Sequence, residues 1–310
     1  MKEKEFILEI SKLFKRHPKQ RNSINQSDSE VIKLDAGEHA FNIDDYSFDE
    51  DRFSDFNPRV LGHNLAVATI SDLLATGAIP ESYMHSITLS KEWGDEYIKT
   101  FLTGINDVLE RTGVYLLGGD TSRGDDWKYT GVCFGKVDRA VFRSGAKEGD
   151  LIFSTGRFGA GNRMGLIQHL LAEGKLPKTE DTLNSASPKF MIRNEEAKLI
   201  SKFASSSIDT SDGLFNSLFV LTENNPECEF LVDMNLDLVE EQDVKLSQLI
   251  EIPKELFLFG TLGEYEILFT VSREHEGKFK NKMDFVRVGE VKKGEGISVL
   301  CGDKKRKLDK

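Results

Sequence analysis

The sequence predicts an α/β (α+β) protein built from two domains. Three observations carry this. Apolar residues alternate between the period of a strand and that of a helix all along the chain. The first half reads strand, strand, helix, strand, helix, strand, strand, an order that packs helices on one face of a sheet. The 310 residues are about two domains' worth, and a polar, turn-rich stretch at 138–150 separates the two halves. The expected division is 1–140 and 141–310.

Residues 6–16, FILEISKLFKR, are spaced as a short amphipathic helix that His17-Pro18 ends. Strands follow at 30–34 and 39–43 around the turn Asp35-Ala36-Gly37-Glu38, with Asp44 and Asp45 directly after the second. Asp49-Glu50-Asp51 reads as a solvated acidic loop. Asn57-Pro58 opens a helix over 59–76 whose Gly62, Ala66, Ala68 and Ala75 suit close packing on a sheet, and Gly77 and Pro80 stop it. Asp72 stands inside this apolar helix, where a charge is costly unless paired or bound to a metal. A strand at 83–89 and a helix at 95–111 lead to Gly113–Leu117, read as a short buried strand. Gly118-Gly119-Asp120-Thr121-Ser122-Arg123-Gly124 then reads as a loop. Its glycines allow a tight turn and close approach to a ligand, Asp120 can hold a metal, and backbone N–H groups can hold a phosphate. An ordinary turn capped by Asp120 fits the same residues. A long strand at 127–137 closes the half.

The second half opens with a strand at 151–155 and a glycine-rich turn, Gly156 to Gly161, that lacks the full G-x-G-x-x-G spacing because Met164 stands at its last position. A helix at 162–173, a loop at 175–188 and a helix at 192–204 follow. Asp209-Thr210-Ser211-Asp212-Gly213 leads into a helix at 214–224; its carboxylates either cap that helix or hold a metal while the helix start faces a phosphate. The remainder reads as a strand at 229–233, a helix at 242–251, two strand pieces within 257–271, strands at 284–291 and 297–301, and a frayed charged tail.

Composition narrows the function. A net charge of −11 argues against a general nucleic-acid or anionic-membrane binder. No run approaches the ~20 apolar residues of a membrane span, and no signal-peptide pattern opens the chain, so a reduced, cytoplasmic setting is expected. Cys133, Cys228 and Cys301 are far apart and form neither a zinc pattern nor a disulfide framework. The candidate carboxylates are Asp28, Asp44, Asp45, Asp72, Asp120, Asp209 and Asp212. There is no Walker lysine loop. A many-aspartate site with few basic groups suits phosphoryl transfer in which metal ions neutralise the phosphates.

In order and spacing, SDLLATGAIP, LLGGDTSRG, RSGAKEGDLIFSTG, SIDTSDGL and GEYEILFTV, with Asp28 and Asp45 ahead of them, resemble the thiamine-monophosphate kinase family of the AIR-synthase-like superfamily. The resemblance implies an AIR-synthase-like fold, a homodimer whose N-terminal sheets join into a barrel, and use of ATP and Mg2+ on a small phosphorylated acceptor. It implies Mg2+ ligation by Asp28, Asp45, Asp72, Asp120 and Asp209, with Asp212 a further ligand near the acceptor. It implies ATP contacts from Gly119, Asp120, Arg143 and Ser211, with Asp120, Arg143 and Asp212 nearest the chemistry. Asp44 replaces a family hydroxyl and can still reach a metal. Amide activation of the AIR synthase or hydrogenase-maturation type, and a non-catalytic nucleotide-binding relative, are the alternatives.

The chain departs from the family pattern at the acceptor end. Gln26-Ser27-Asp28 replaces Gly-Asp-Asp, Arg52 stands where the family has a substrate-contacting histidine, and Gly263 replaces a substrate-contacting glutamate, with Glu264 one residue along. A cation gained and a carboxylate lost predict weak activity on thiamine monophosphate and a preference for an anionic acceptor.

Overall fold

The computed structural model describes residues 21–23, 26–34, 37–51, 53–280 and 282–309. The helix expected at 6–16, Arg52 and the Asp35-Ala36 turn lie outside those residues. Two sheets fall on either side of the 138–150 stretch.

The first sheet contains β1 (Glu30–Leu34), β2 (Gly37–Ser47), β3 (Ile79–Ser90), β4 (Tyr115–Gly124) and β5 (Lys128–Val137) in the order β1-β2-β5-β3-β4. Its pairs are antiparallel except β3 with β4, which run parallel across the helix that joins them. Two helices, α1 (Pro58–Ala75) and α2 (Asp95–Thr112), pack together beside it. Asn57 caps α1 by accepting from the Val60 N–H at 3.3 Å, and Pro58 fills the first turn, where its missing N–H is no loss. The small residues of α1 serve its partner helix as well as the sheet. A Cβ on Gly62 would lie 2.0 Å from the Phe101 carbonyl oxygen, and one on Gly104 2.0 Å from that of Arg59, so the two backbones cross in contact.

The second sheet has the order β12-β11-β8-β10-β6-β9-β7, from β6 (Leu151–Ser154), β7 (Ala204–Asp209), β8 (Cys228–Asp233), β9 (Ile267–Val271), β10 (Val286–Lys293), β11 (Gly296–Cys301) and β12 (Lys304–Leu308). Its helices are α3 (Ala160–Ala172), α4 (Glu180–Ser185), α5 (Asn194–Phe203), α6 (Leu214–Asn224) and α7 (Glu241–Leu249). One apolar core spans both halves: Leu65 and Leu73 of α1 share it with Phe153, Phe190 and Phe269.

Five local expectations change, the first being that the loop read at 175–188 contains α4, which Thr179 caps by accepting from the Thr182 N–H at 3.3 Å. Tyr115 to Leu117 is an exposed strand, not a buried one, with Tyr115 76% and Leu117 59% accessible, because β4 is an edge strand. The stretch after it is no loop: β4 continues to Gly124, and its pairing with β3 slips by one residue between Leu116 and Gly118, so a bulge replaces the turn. The charged tail is ordered as β12, antiparallel to β11, where its lysines guard a sheet edge. Of the strand pieces expected within 257–271, only β9 forms; a 3-10 turn covers Lys254–Leu258.

Candidate active site

Alternation along β2 sorts its side chains onto two faces. Asn42 and Asp44 turn toward α1: the Asn42 amide donates to the Thr69 carbonyl at 2.7 Å, to Asp44 at 2.8 Å and to Asp72 at 3.4 Å. Asp28 comes from the segment before β1, Asp72 from the last turn of α1 and Asp209 from the end of β7, and one carboxylate oxygen from each lies within 4.8 Å of the other two. Ser71 donates to Asp209 at 2.7 Å, and the Asp209 N–H donates to Asp28 at 3.2 Å. Arg143 meets Asp28 through Nε at 2.7 Å and through a second, shorter contact from Nη2.

Burial is the main force on these acids, and repulsion adds to it. Burial, with Asp28 and Asp44 nearby, pushes the Asp209 carboxyl up to about 7. Burial lifts Asp44 to about 7 against the Asn42 hydrogen bond that favours its charged form. Asp72 is raised well above the ordinary range by burial and then by Asp44, Asp209 and Asp28. Asp28 is raised by burial in spite of Arg143. The Asn42 Oδ1, buried in the same place, has no hydrogen-bond partner among the described residues. Three convergent carboxylates and an unengaged amide oxygen fit a hard, oxygen-seeking divalent cation such as Mg2+.

The structure does not bring Asp45, Asp120 or Asp212 into this cluster. Asp45, Thr130, Ser86 and Asp120 form one row across four strands, facing away from α1. Thr130 donates to Asp45 there, Asp120 is exposed, and Gly119 is its neighbour on β4. Asp212 sits at the mouth of a second feature, a cleft of about 210 Å3 lined by Asp51, Phe53, Ser211, Asp212, Gly263 and Tyr265 among others. Hollows of about 450 and 540 Å3 lie along α2 and between α5 and Ile79, away from the acidic cluster.

The cleft is aromatic and acidic. Phe53 stacks on Tyr265 with ring centroids 6.0 Å apart, and Phe190 meets Tyr265 edge-on at 4.9 Å. Glu50, Asp51 and Asp212 supply the charge. Asp51 is not the free loop acid its sequence suggests: it accepts from the Ser47 N–H at 2.7 Å. Ser211 lines the cleft and donates to Asp209 at 3.2 Å, so the cleft opens beside the cluster. Gly263 contributes backbone; a Cβ there would come within 2.7 Å of the Tyr265 ring. Glu264 does not line the cleft. It is buried, accepts from the Gly161 N–H at 3.3 Å at the start of α3, and is raised to about 8 by burial.

Sequence reasoning missed Asn42, Phe53 and Tyr265. Asn42 carried a signal, lying two residues from Asp44 and hence on the same strand face.

Residues 26–137 match the model of the AIR synthase related protein, N-terminal domain. Thiamine-monophosphate kinase of Archaeoglobus fulgidus is 30% identical over 254 residues, 79% of this chain and 76% of that protein. That of Buchnera aphidicola (Acyrthosiphon pisum) is 30% identical over 296 residues, covering 90% and 87%. The chain belongs to the thiamine-monophosphate kinase family. The family's reaction class is ATP-dependent phosphotransfer, and the chain is a kinase of that kind. The fold agrees: AaThiL complexed with AMPPCP and TMP superposes with a TM-score of 0.84 at 22% identity, covering 99% of this chain and 95% of that one. A HypE-HypF complex superposes with a TM-score of 0.75 at 17% identity, covering 98% and 99%. The five-stranded sheet of the kinase-family chain is open, with β1 and β4 as its edges and no closed barrel among the described residues. Among the described residues, no helix is long and apolar enough to cross a membrane.

Proposed function

We propose that the chain transfers the γ-phosphoryl group of ATP to thiamine monophosphate, giving thiamine diphosphate and ADP. One observation carries this: an aromatic, acidic cleft opens through Ser211 onto a buried carboxylate cluster. A cationic thiazolium suits the Phe53–Tyr265 rings and the Glu50, Asp51 and Asp212 carboxylates. This reverses the preference for an anionic acceptor drawn from Arg52 and Gly263: Glu50, Asp51 and Asp212 line the cleft, and Arg52 lies outside the described residues. The acceptor's phosphate oxygen would form the new bond to Pγ as the bond to the β,γ-bridging oxygen breaks; an anionic phosphate needs no general base.

Asp28, Asp72 and Asp209 would hold Mg2+, with Asp44 beside them. The ion, when bound, neutralises charge on the triphosphate oxygens. Arg143, held against Asp28, adds positive charge at the same place. Gly119, Asp120 and Asp45 are assigned to the nucleotide end, reached from the open face of the first sheet. That face displays Phe41, Ile43 and Met84, and a second copy laid upon it would form a homodimer. We divide the chain into domains near residue 140, between the two sheets, and place it in the cytoplasm, where the exposed thiol of Cys301 stays reduced. Incubation with γ-labelled ATP and thiamine monophosphate tests the reaction. Label in thiamine diphosphate supports it; free labelled phosphate alone, or no turnover, overturns it.

A further inference from the structure

We infer that Arg193, which touches neither the cleft nor the acidic cluster, is the positioning residue that fixes the Tyr265 wall of the cleft, and that it tunes acceptor affinity through Glu266. The inference rests on the acceptor reading above.

Arg193 is the residue before α5 and is 5% exposed. Its Nε and Nη2 grip the Glu266 carboxylate at 2.7 and 2.6 Å, a two-point fork, while Nη1 reaches Asp284 at 3.0 Å and Glu196 at 3.3 Å. Thr155, at the end of β6, donates to the same carboxylate. Glu266 is thus clamped from two elements of the second half.

The Glu266 backbone passes that constraint on. Its carbonyl accepts from the Thr210 N–H at 2.9 Å and hydroxyl at 3.0 Å, and its N–H donates to the Thr210 hydroxyl at 3.0 Å. The Glu264 N–H donates to the Thr210 carbonyl at 3.0 Å. Thr210 lies between Asp209 of the cluster and Ser211 of the cleft. Between Glu264 and Glu266 stands Tyr265, whose φ of 54° is a left-handed conformation that an aromatic residue seldom adopts. The bonds on either side hold it there, and its ring is a wall of the cleft. The lead-in to Arg193 also carries Phe190, which packs on that ring. One guanidinium therefore sets the position of Tyr265, while Ser71 and Asp28 hold Asp209 independently of it. Lysine keeps the charge but loses the fork.

Arg193→Lys and Thr155→Val, the latter removing the second donor to Glu266 together with the hydroxyl that accepts from the Ile267 N–H at 2.9 Å, test this. Steady-state kinetics with thiamine monophosphate and ATP, and a crystal structure of each variant, are the readouts. For Arg193→Lys we expect the KM for thiamine monophosphate to rise roughly tenfold, with the KM for ATP changed less than about twofold and kcat less than about threefold; Thr155→Val should move the same KM by about threefold. The structures should show Tyr265 leaving its left-handed φ or its contact with Phe53. Equal shifts in both KM values, or a lowered Tm with both unchanged, overturn the inference. Tyr265 unmoved in both variants overturns it even if the wild-type protein proves to use a different acceptor. Absent wild-type turnover on thiamine monophosphate counts against the acceptor reading instead.

Discussion

Replacing Asp72 by Asn should make the metal-free protein more stable and its response to Mg2+ smaller. Asp72 faces Asp28 and Asp209 with carboxylate oxygens within 4.8 Å. Two unit charges at that separation repel by roughly 3 kcal/mol at an effective dielectric of about 20. Arg143 and partial protonation offset part of this, so a gain of about 1–3 kcal/mol is expected, or about 1.5–5 °C in Tm for a chain of this size. The pH dependence follows from linkage. Asp44 and Asp209 titrate near about 7 in the folded protein against 3.8 ordinarily, so the native state binds more protons than the unfolded chain between those values. Stability of the metal-free protein therefore falls as pH rises from about 4 to about 7, and the Asp72→Asn substitution should flatten that fall. Thermal unfolding at about pH 5 and about pH 7.5, each with EDTA or excess Mg2+, is the measurement. Mg2+ should raise the wild-type Tm mainly at the higher pH, where the carboxylates are charged. A variant Tm below wild type in EDTA, or an undiminished Mg2+ shift, would refute the reasoning.

Three further outcomes are expected. Gly104→Ala should destabilise by about 1–3 kcal/mol or more, since its Cβ would strike the Arg59 carbonyl; chemical denaturation reads this, and an unchanged midpoint would contradict the backbone contact between α1 and α2. Ile43→Lys, on the open face and 68% exposed, should convert a dimer to monomers in light scattering while leaving the stability of the monomer within about 1 kcal/mol of wild type; a wild-type monomer at micromolar concentration would count against the interface. Asp120→Asn should weaken ATP binding and its Mg2+ dependence together by calorimetry, and equal metal-independent binding by wild type and variant would sink that assignment.

Much of the fold was legible because its signals are local. The α1 start at Asn57-Pro58, the glycine stops and the period-2 strands are all written in short stretches, and their bounds moved by only a few residues. Asp72 announced itself as a charge in an apolar helix. The misread elements depend on distant partners. Whether Tyr115 to Leu117 is buried depends on being at a sheet edge, and whether the last residues pair depends on β11. Likewise, Asp44 and Asp45 are adjacent in sequence, yet the pleat sends one to the cluster and the other to the opposite face. Spacing alone could group the seven acids; only the register separates them. The acceptor cleft was hardest to foresee, since Phe53 and Tyr265 lie far apart in the chain and meet only through packing.

The burial of α1 has a consequence for taking the molecule apart. Fourteen of its residues are buried, and it is in contact with β7 and β9 of the second half as well as with its own sheet. A fragment ending near residue 140 would leave one flank of that helix bare, and Asp72 would lose Asp209. The two halves are thus poor candidates for independent expression or for recombination with foreign partners. Co-produced as separate pieces, they have the matched surfaces to reassociate, so a split version whose kinase activity reports the meeting of two fused proteins becomes a practical design.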